Sequence, residues 1–190
     1  MKSKDFYRLM INPFTRIAGW QAFGVGLVFV ILMGVIGTYS KVSFNGVIDA
    51  HFVPTMTFAH SFSLLAIDLS CLVVVMWIAG LIISKGFRFV DILGTMTLAK
   101  SPLIVFAIAG YFNKATDLAS APANPLAIFH SVSFIVLLIL SLFTIIWNIT
   151  LMYNAFKVSC GVKGSKLVIA FIIALVVSEI ISQLVIYQIA

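Results

Sequence analysis

Five long runs of apolar residues constrain this chain more than any other feature. They cover residues 17–38, 58–83, 92–112, 126–153 and 167–189. A helix needs about 20 mostly apolar residues to cross a hydrocarbon core about 30 Å thick. Because backbone polar groups in lipid must bond within their own segment, runs of this length are helices rather than isolated strands. The sequence therefore predicts an all-α membrane protein, a single bundle of five transmembrane helices.

The composition agrees with a membrane protein. Hydrophobic residues make up 62% of the 190 positions and charged residues only 9%, whereas a soluble domain is about 25% charged. A water-soluble fold must cover its surface with polar groups, and lipid removes that requirement. Residues 17–190 are predicted to form one transmembrane domain. Residues 1–16 mix aromatic and basic side chains, which predicts a cytoplasmic segment lying in the membrane interface.

The lysines and arginines predict the orientation of the bundle. Basic residues are concentrated in cytoplasmic loops of membrane proteins. Nine of the twelve lie in the N-terminal segment and in the second and fourth loops: Lys2, Lys4, Arg8, Arg16, Lys85, Arg88, Lys157, Lys163 and Lys166. The other two loops hold only Lys41 and Lys114, and Lys100 lies within a span. This asymmetry predicts a cytoplasmic N-terminus and an external C-terminus, in the inner membrane if the protein is bacterial.

The basic loops are also candidate lipid contacts. Lysines and arginines beside a span attract anionic headgroups by about 1 kcal/mol each. The candidates are Lys85, Arg88, Lys157, Lys163 and Lys166. The alternative is that these charges only set topology. We expect no nucleic-acid partner, because the charge lies on short loops held at the membrane.

Three breaks between the runs are polar, at residues 84–88, 113–125 and 154–166. The remaining break, residues 39–57, is fairly apolar and contains Gly46 and Pro54. A short interfacial helix is one interpretation of it.

Ionisable residues inside the spans are the best pointers to function, because each is costly unless it faces protein or water. Asp68 lies in the second run, Lys100 in the third and Glu179 in the fifth. Pro102 follows Lys100 and is expected to kink that helix. Two interpretations are open. Lys100 offsets one carboxylate as a structural device, by pairing with Asp68, or the three residues form a proton- or ion-binding site.

Small residues form a stripe on the first span: Gly19, Ala22, Gly26, Gly34 and Gly37. Such stripes let helices approach closely, either within the chain or in a homodimer. On the fourth span His130, Ser141, Thr144 and Asn148 form a polar stripe that is expected to face other helices.

The three histidines, His51, His60 and His130, map to the predicted outer half. Imidazoles and carboxylates together bind divalent metals, but no two histidines have the i, i+4 spacing of ligands on one helix. Non-ligating histidines are the alternative. Cys71 and Cys160 are expected to be two free thiols at different depths. No cofactor or catalytic motif is present, so we expect no enzyme activity.

Three groups of residues resemble the Yip family (Ypt-interacting proteins) in its bacterial form. The first is INPF at residues 11–14, before the first span. The second is FVDIL at 89–93 with AKSP at 99–102, and the third is IWN at 146–148, AFKV at 155–158 and GVKGSK at 161–166. The resemblance implies five helices and a cytoplasmic N-terminus. Eukaryotic members engage Rab-type GTPases through a longer N-terminal region than the sixteen residues here, which does not favour GTPase binding.

These observations lead to one functional expectation with two alternatives. The chain is expected to be a non-enzymatic bundle that organises membrane components, through anionic lipid, self-association or other membrane proteins. The first alternative is a small transporter or channel component that uses Asp68, Lys100 and Glu179. The second is a metal-binding intramembrane protein.

Overall fold

The computed structural model describes residues 7, 9–112 and 132–189. These residues form five helical segments long and apolar enough to cross a membrane. Their bounds are Gly19–Ser40, Phe58–Ile83, Phe89–Tyr111, Phe134–Cys160 and Ser165–Gln188. The predicted all-α bundle of five spans is confirmed, and the protein is a multi-pass membrane protein.

Residues 9–11 are helical, and six further α-helices make up the five spans, because the third span is divided in two. They are α1 (Gly19–Ser40), α2 (Phe58–Ile83), α3 (Phe89–Ala99), α4 (Leu103–Phe112), α5 (Val132–Cys160) and α6 (Ser165–Ile189). A 3-10 turn at Pro13–Thr15 precedes α1, and two short strands, β1 (Val42–Ser43) and β2 (His51–Phe52), lie between α1 and α2.

The third span, made of α3 and α4, lies at the centre of the bundle. In its most apolar stretch 67% of the residues are buried in the protein, against 17% to 33% in the other spans. The helix α1 packs along both halves, while α2 packs mainly on α6. The third span is therefore surrounded by protein, and the others face lipid on one side.

The predicted kink at Pro102 is a full interruption of the third span. The helix α3 ends at Ala99 and α4 begins at Leu103. Tight turns connect the two, in which the Ser101 amide donates to the Leu98 carbonyl (3.0 Å) and the Leu103 amide to the Lys100 carbonyl (3.1 Å). Non-helical backbone at membrane depth is tolerated only where protein or water satisfies it, and Pro102 is buried.

The interpretation of residues 39–57 as an interfacial helix is wrong. Strands β1 and β2 pair antiparallel and form a hairpin, with Val42 opposite Phe52. Lys41 starts the hairpin in a left-handed conformation (φ 55°). Val42, Phe44 and Val47 are fully buried, because the apolar side chains of this segment fill the end of the bundle instead of lying on the membrane surface.

The predicted fourth loop, residues 154–166, is also wrong in its extent. The helix α5 continues to Cys160 and α6 begins at Ser165. Gly161 and Gly164 have positive φ angles and make the short turn between the two helices. Lys157 thus lies in the last turn of α5, where a cation favours the carbonyl end of a helix.

The N-terminal segment is attached to α5. The Trp147 indole donates to the Met10 carbonyl (2.8 Å), and the Asn154 amide donates to the Ile11 carbonyl (3.1 Å). Phe14 is buried in the core. The segment is therefore held against the protein, and its place in the membrane interface stays a prediction.

The small-residue stripe of α1 is covered by the chain's own third span, by α2 and by the hairpin segment. Gly19, Ala22, Gly26, Gly34 and Gly37 are all buried. A Cβ atom at Gly26 would lie 2.5 Å from the Leu98 nitrogen, so a side chain there would force α1 away from α3. Of the two predicted alternatives, contact within the chain and contact in a homodimer, the stripe makes the first. It is therefore unavailable for a homodimer.

Candidate functional site

Asp68 and Lys100 meet at the centre of the bundle. Lys100 Nζ lies 3.9 Å from Asp68 Oδ2, and the two side chains are 1% and 0% exposed. The second span supplies the carboxylate from the buried side of α2. The interrupted third span supplies the amine at the end of α3, where a cation also offsets the partial negative charge of the helix C-terminus.

The pair is incompletely hydrogen-bonded. The Ser182 hydroxyl of α6 donates to Asp68 Oδ1. Asp68 Oδ2 and Lys100 Nζ form no hydrogen bond with any described residue. Buried polar atoms are nearly always hydrogen-bonded, so each exception calls for an explanation. In this buried pair, the Lys100 amine can still donate hydrogen bonds, and Asp68 Oδ2 can still accept them.

Glu179 lies one helical turn from Ser182 on α6, beneath the hairpin. Its Oε2 atom accepts from the Ile48 amide (3.0 Å), and its Oε1 atom accepts from the Gln183 side chain (2.7 Å). A Cβ atom at Gly46 would collide with this carboxylate, so glycine lets the hairpin come this close. Glu179 therefore fastens the hairpin to α6.

We call Asp68, Lys100, Ser182 and Glu179 the polar centre. The structure brings the three predicted ionisable residues into electrostatic range of one another. Ser182 was not identified from the sequence. Its spacing of three residues from Glu179, on the same face of a helix, is the signal that would have found it.

The polar stripe of the fourth span turns partly inward. Thr144 and Asn148 are buried, and Asn148 Oδ1 has no partner among the described residues. Ser141 and Thr144 line a small cavity of about 20 Å³ beside Ala50 of the hairpin and Leu103 of α4. His130 lies outside the described residues.

An apolar groove of about 670 Å³ runs between α2 and α6 on the lipid-facing side. We call it the lysine groove, because Lys166 is the single charged side chain in its lining. The other lining residues are Val75, Ile78, Ala79, Ile82, Ile83, Ile169, Ala170, Ile173, Ala174 and Val177.

The predicted lipid-contact residues lie at one end of the bundle, which we call the basic face. Lys85 and Arg88 lie in the turn between α2 and α3, and Lys163 and Lys166 lie beside the start of α6. The two turns are joined, since the Ser84 hydroxyl donates to the Cys160 carbonyl (2.7 Å).

Arg88 differs from the lysines of this face. Its guanidinium donates two hydrogen bonds to the Asp91 carboxylate, both 3.1 Å. The hydrogen bonds and the charge of Asp91 raise the pKa of Arg88. Lys85, Lys163 and Lys166 are exposed and form no ion pair with the described residues, which makes them the better lipid candidates.

The two described histidines are separate. His51 Nδ1 lies 3.3 Å from Asp49 Oδ2 in the hairpin, and His60 is exposed in the first turn of α2. Within residues 7, 9–112 and 132–189, no three histidine, cysteine, aspartate or glutamate side chains converge as metal ligands would. In the same residues Cys71 and Cys160 are free thiols.

No protein-family model matches the chain, and comparisons with curated proteins and with solved structures found no match. The resemblance to the Yip family therefore stays a prediction from the sequence.

Proposed function

We propose that this is a non-enzymatic, Yip-like membrane protein that organises membrane components at its basic face by binding anionic phospholipid. The lysine groove is the observation that carries the proposal. It combines an apolar channel, which suits a lipid acyl chain, with the amine of Lys166 at its end.

The depth of the groove fits a single leaflet. Its lining on α6 runs from Lys166 to Val177, about 16 Å at 1.5 Å per residue. Half of a hydrocarbon core about 30 Å thick is about 15 Å. An acyl chain from one leaflet would therefore fill the groove along its length, with its headgroup beside Lys166.

The charge of the basic face fits an anionic headgroup. Lys166 lies in the first turn of α6, where unpaired backbone amides add partial positive charge. Lys85 and Lys163 lie in the two adjoining turns. The phosphate of a lipid bound here would be attracted by several positive groups. A zwitterionic headgroup carries its own cation, which cancels part of that attraction.

Native mass spectrometry of the protein in mild detergent tests the proposal. We expect retained phosphatidylglycerol in preference to phosphatidylcholine, and a loss of about fivefold in that affinity for Lys166→Gln, corresponding to about 1 kcal/mol. Lys41→Gln is the matched control, since Lys41 is exposed at the start of the hairpin, away from the basic face, and does not line the groove. Equal affinity for both lipids in the wild-type protein would contradict the proposal.

The apolar half of the groove is tested separately. Ala170→Phe fills the channel without changing charge, so we expect it to reduce lipid retention. Val168→Phe adds the same side chain to an exposed position of α6 that does not line the groove. Equal retention by the two variants would mean that the groove is not the binding site.

Self-association or other membrane proteins are a further route to the same function. The fourth span offers the surface, because only 17% of its most apolar stretch is buried. The same mass spectra report the subunit number directly. We also propose the inner membrane as the location of the protein, if it is bacterial.

A further inference from the structure

The polar centre holds two opposite charges that the fold does not fully satisfy. Asp68 and Lys100 are buried but separated by 3.9 Å, beyond hydrogen-bonding distance. Burying an ion pair costs more than its attraction returns unless the remaining donors and acceptors are satisfied. A pair of this kind is expensive as a structural device alone.

The chemistry of the pair selects its ligand. A metal cation beside Asp68 would meet the positive charge of Lys100 at close range. A proton needs no additional space, and the pair can gain one on Asp68 or lose one from Lys100. Buried carboxylates within transmembrane bundles are typical members of proton relays.

We propose that Asp68 and Lys100 form a proton-binding site that exchanges protons with the hairpin side of the bundle through Ser182 and Glu179. The inference does not depend on lipid binding, since the lysine groove lies on the outer surface of α2 and α6. It assigns a proton as the ligand of the polar centre.

The arrangement on α6 provides the route. Glu179 is partly exposed beneath the hairpin. Ser182 lies one turn further towards the C-terminal end of α6, where it is buried and donates its hydroxyl to Asp68. A hydroxyl both donates and accepts. In the transfer, a proton leaves the Glu179 carboxylic acid for Ser182 Oγ, and the original Ser182 proton moves to Asp68 Oδ1. Glu179 ends as a carboxylate and Asp68 as a carboxylic acid, with only O–H bonds exchanged.

The hairpin controls this step. Ionised Glu179 accepts a charge-assisted hydrogen bond from the Ile48 amide, and such bonds are stronger than neutral ones. Protonation weakens that bond and frees Glu179 to approach Ser182. Proton uptake and release of the hairpin are therefore coupled.

Other groups set the charge at Asp68. Those that act on it are Lys100 from the third span, Glu179 from α6 and Asp49 from the hairpin. The Cys71 thiol of α2 lies in range of the same carboxylate. Asp49→Asn is therefore expected to change the proton occupancy of Asp68 slightly, while leaving the Ser182 route intact.

Infrared difference spectroscopy after an acid jump tests the site in nanodiscs of the full chain. It records the carbonyl band of a carboxylic acid as the acid forms. We expect a band that is lost in Asp68→Asn, and lost equally in the charge-balanced Asp68→Asn, Lys100→Gln double variant if the single variant does not fold. A band unchanged in both would overturn the proposal.

The route has its own matched pair. Ser182→Ala keeps every charge but removes the relay, so we expect the Asp68 band to form at least about tenfold more slowly, as for loss of a proton-transfer group. Ser178→Ala removes a second buried hydroxyl of α6, which donates only to the Leu175 carbonyl of its own helix. Equal rates in the two variants would overturn the role of Ser182, and with it the proposed exchange.

Discussion

The polar centre and the lysine groove place charge in opposite surroundings. In the polar centre, Lys100 is buried against Asp68, and its side chain is only 1% exposed. In the groove, Lys166 is exposed at the end of an apolar channel. The interaction of two charges is several times stronger in a protein interior than in water. We therefore expect a single amine to govern stability in one region and, under the proposed function, only to adjust the choice of lipid in the other.

The largest expected effect is at the polar centre. Lys100→Met leaves Asp68 buried without its cation, which should lower the free energy of unfolding by about 3–5 kcal/mol. The Asp68→Asn, Lys100→Met double variant should recover most of that loss. Unfolding in mixed detergent measures both. Equal destabilisation in the single variants and the double variant would show that the two side chains are not energetically paired.

A smaller effect is expected where α1 meets the third span. Gly26→Val drives a side chain into the backbone of Leu98, and overpacking of this kind costs about 1–3 kcal/mol. Gly24→Val is the matched control, because a Cβ atom at Gly24 meets nothing within 4 Å. The same unfolding assay compares them. A Gly26 variant as stable as the Gly24 variant would mean that α1 and α3 are not in close contact.

The smallest effect is that of salt, and it separates the two regions. Exposed charges are screened over about 10 Å at 0.1 M ionic strength, while buried pairs are screened much less. Raising the ionic strength should weaken phosphatidylglycerol binding and leave the free energy of unfolding nearly unchanged. Lipid titration and unfolding in the same buffers provide the measurement. Salt-independent lipid binding would argue against Lys166 as the headgroup contact.

The spans were predictable because lipid acts on each segment separately. The second span was placed at residues 58–83, and α2 has the same bounds, Phe58–Ile83. The first and fifth spans differ from α1 and α6 by two residues at one or both ends. The fourth span was ended at residue 153, but α5 continues to Cys160, since Lys157 is compatible with a final helical turn in the interface.

The hairpin was missed for a different reason. Its strands are only two residues long, so period-two alternation is too short to detect. The apolar character of residues 39–57 suggested an interfacial helix, whereas Val42, Phe44 and Val47 are buried at the end of the bundle. A pattern of apolar residues indicates that a segment is buried, but not whether it is buried in the protein or in the membrane.

The sequence by itself determined that this protein crosses a membrane five times and which ionisable residues lie within the spans. The length of an apolar run and the presence of a charged residue within it are local properties, so they can be recognised in the sequence alone. Only the tertiary structure decided that Lys100 meets Asp68, that Ser182 binds the same carboxylate, and that Glu179 holds the hairpin. Those pairings depend on how each helix is rotated and where the third span is interrupted. Packing between helices sets both.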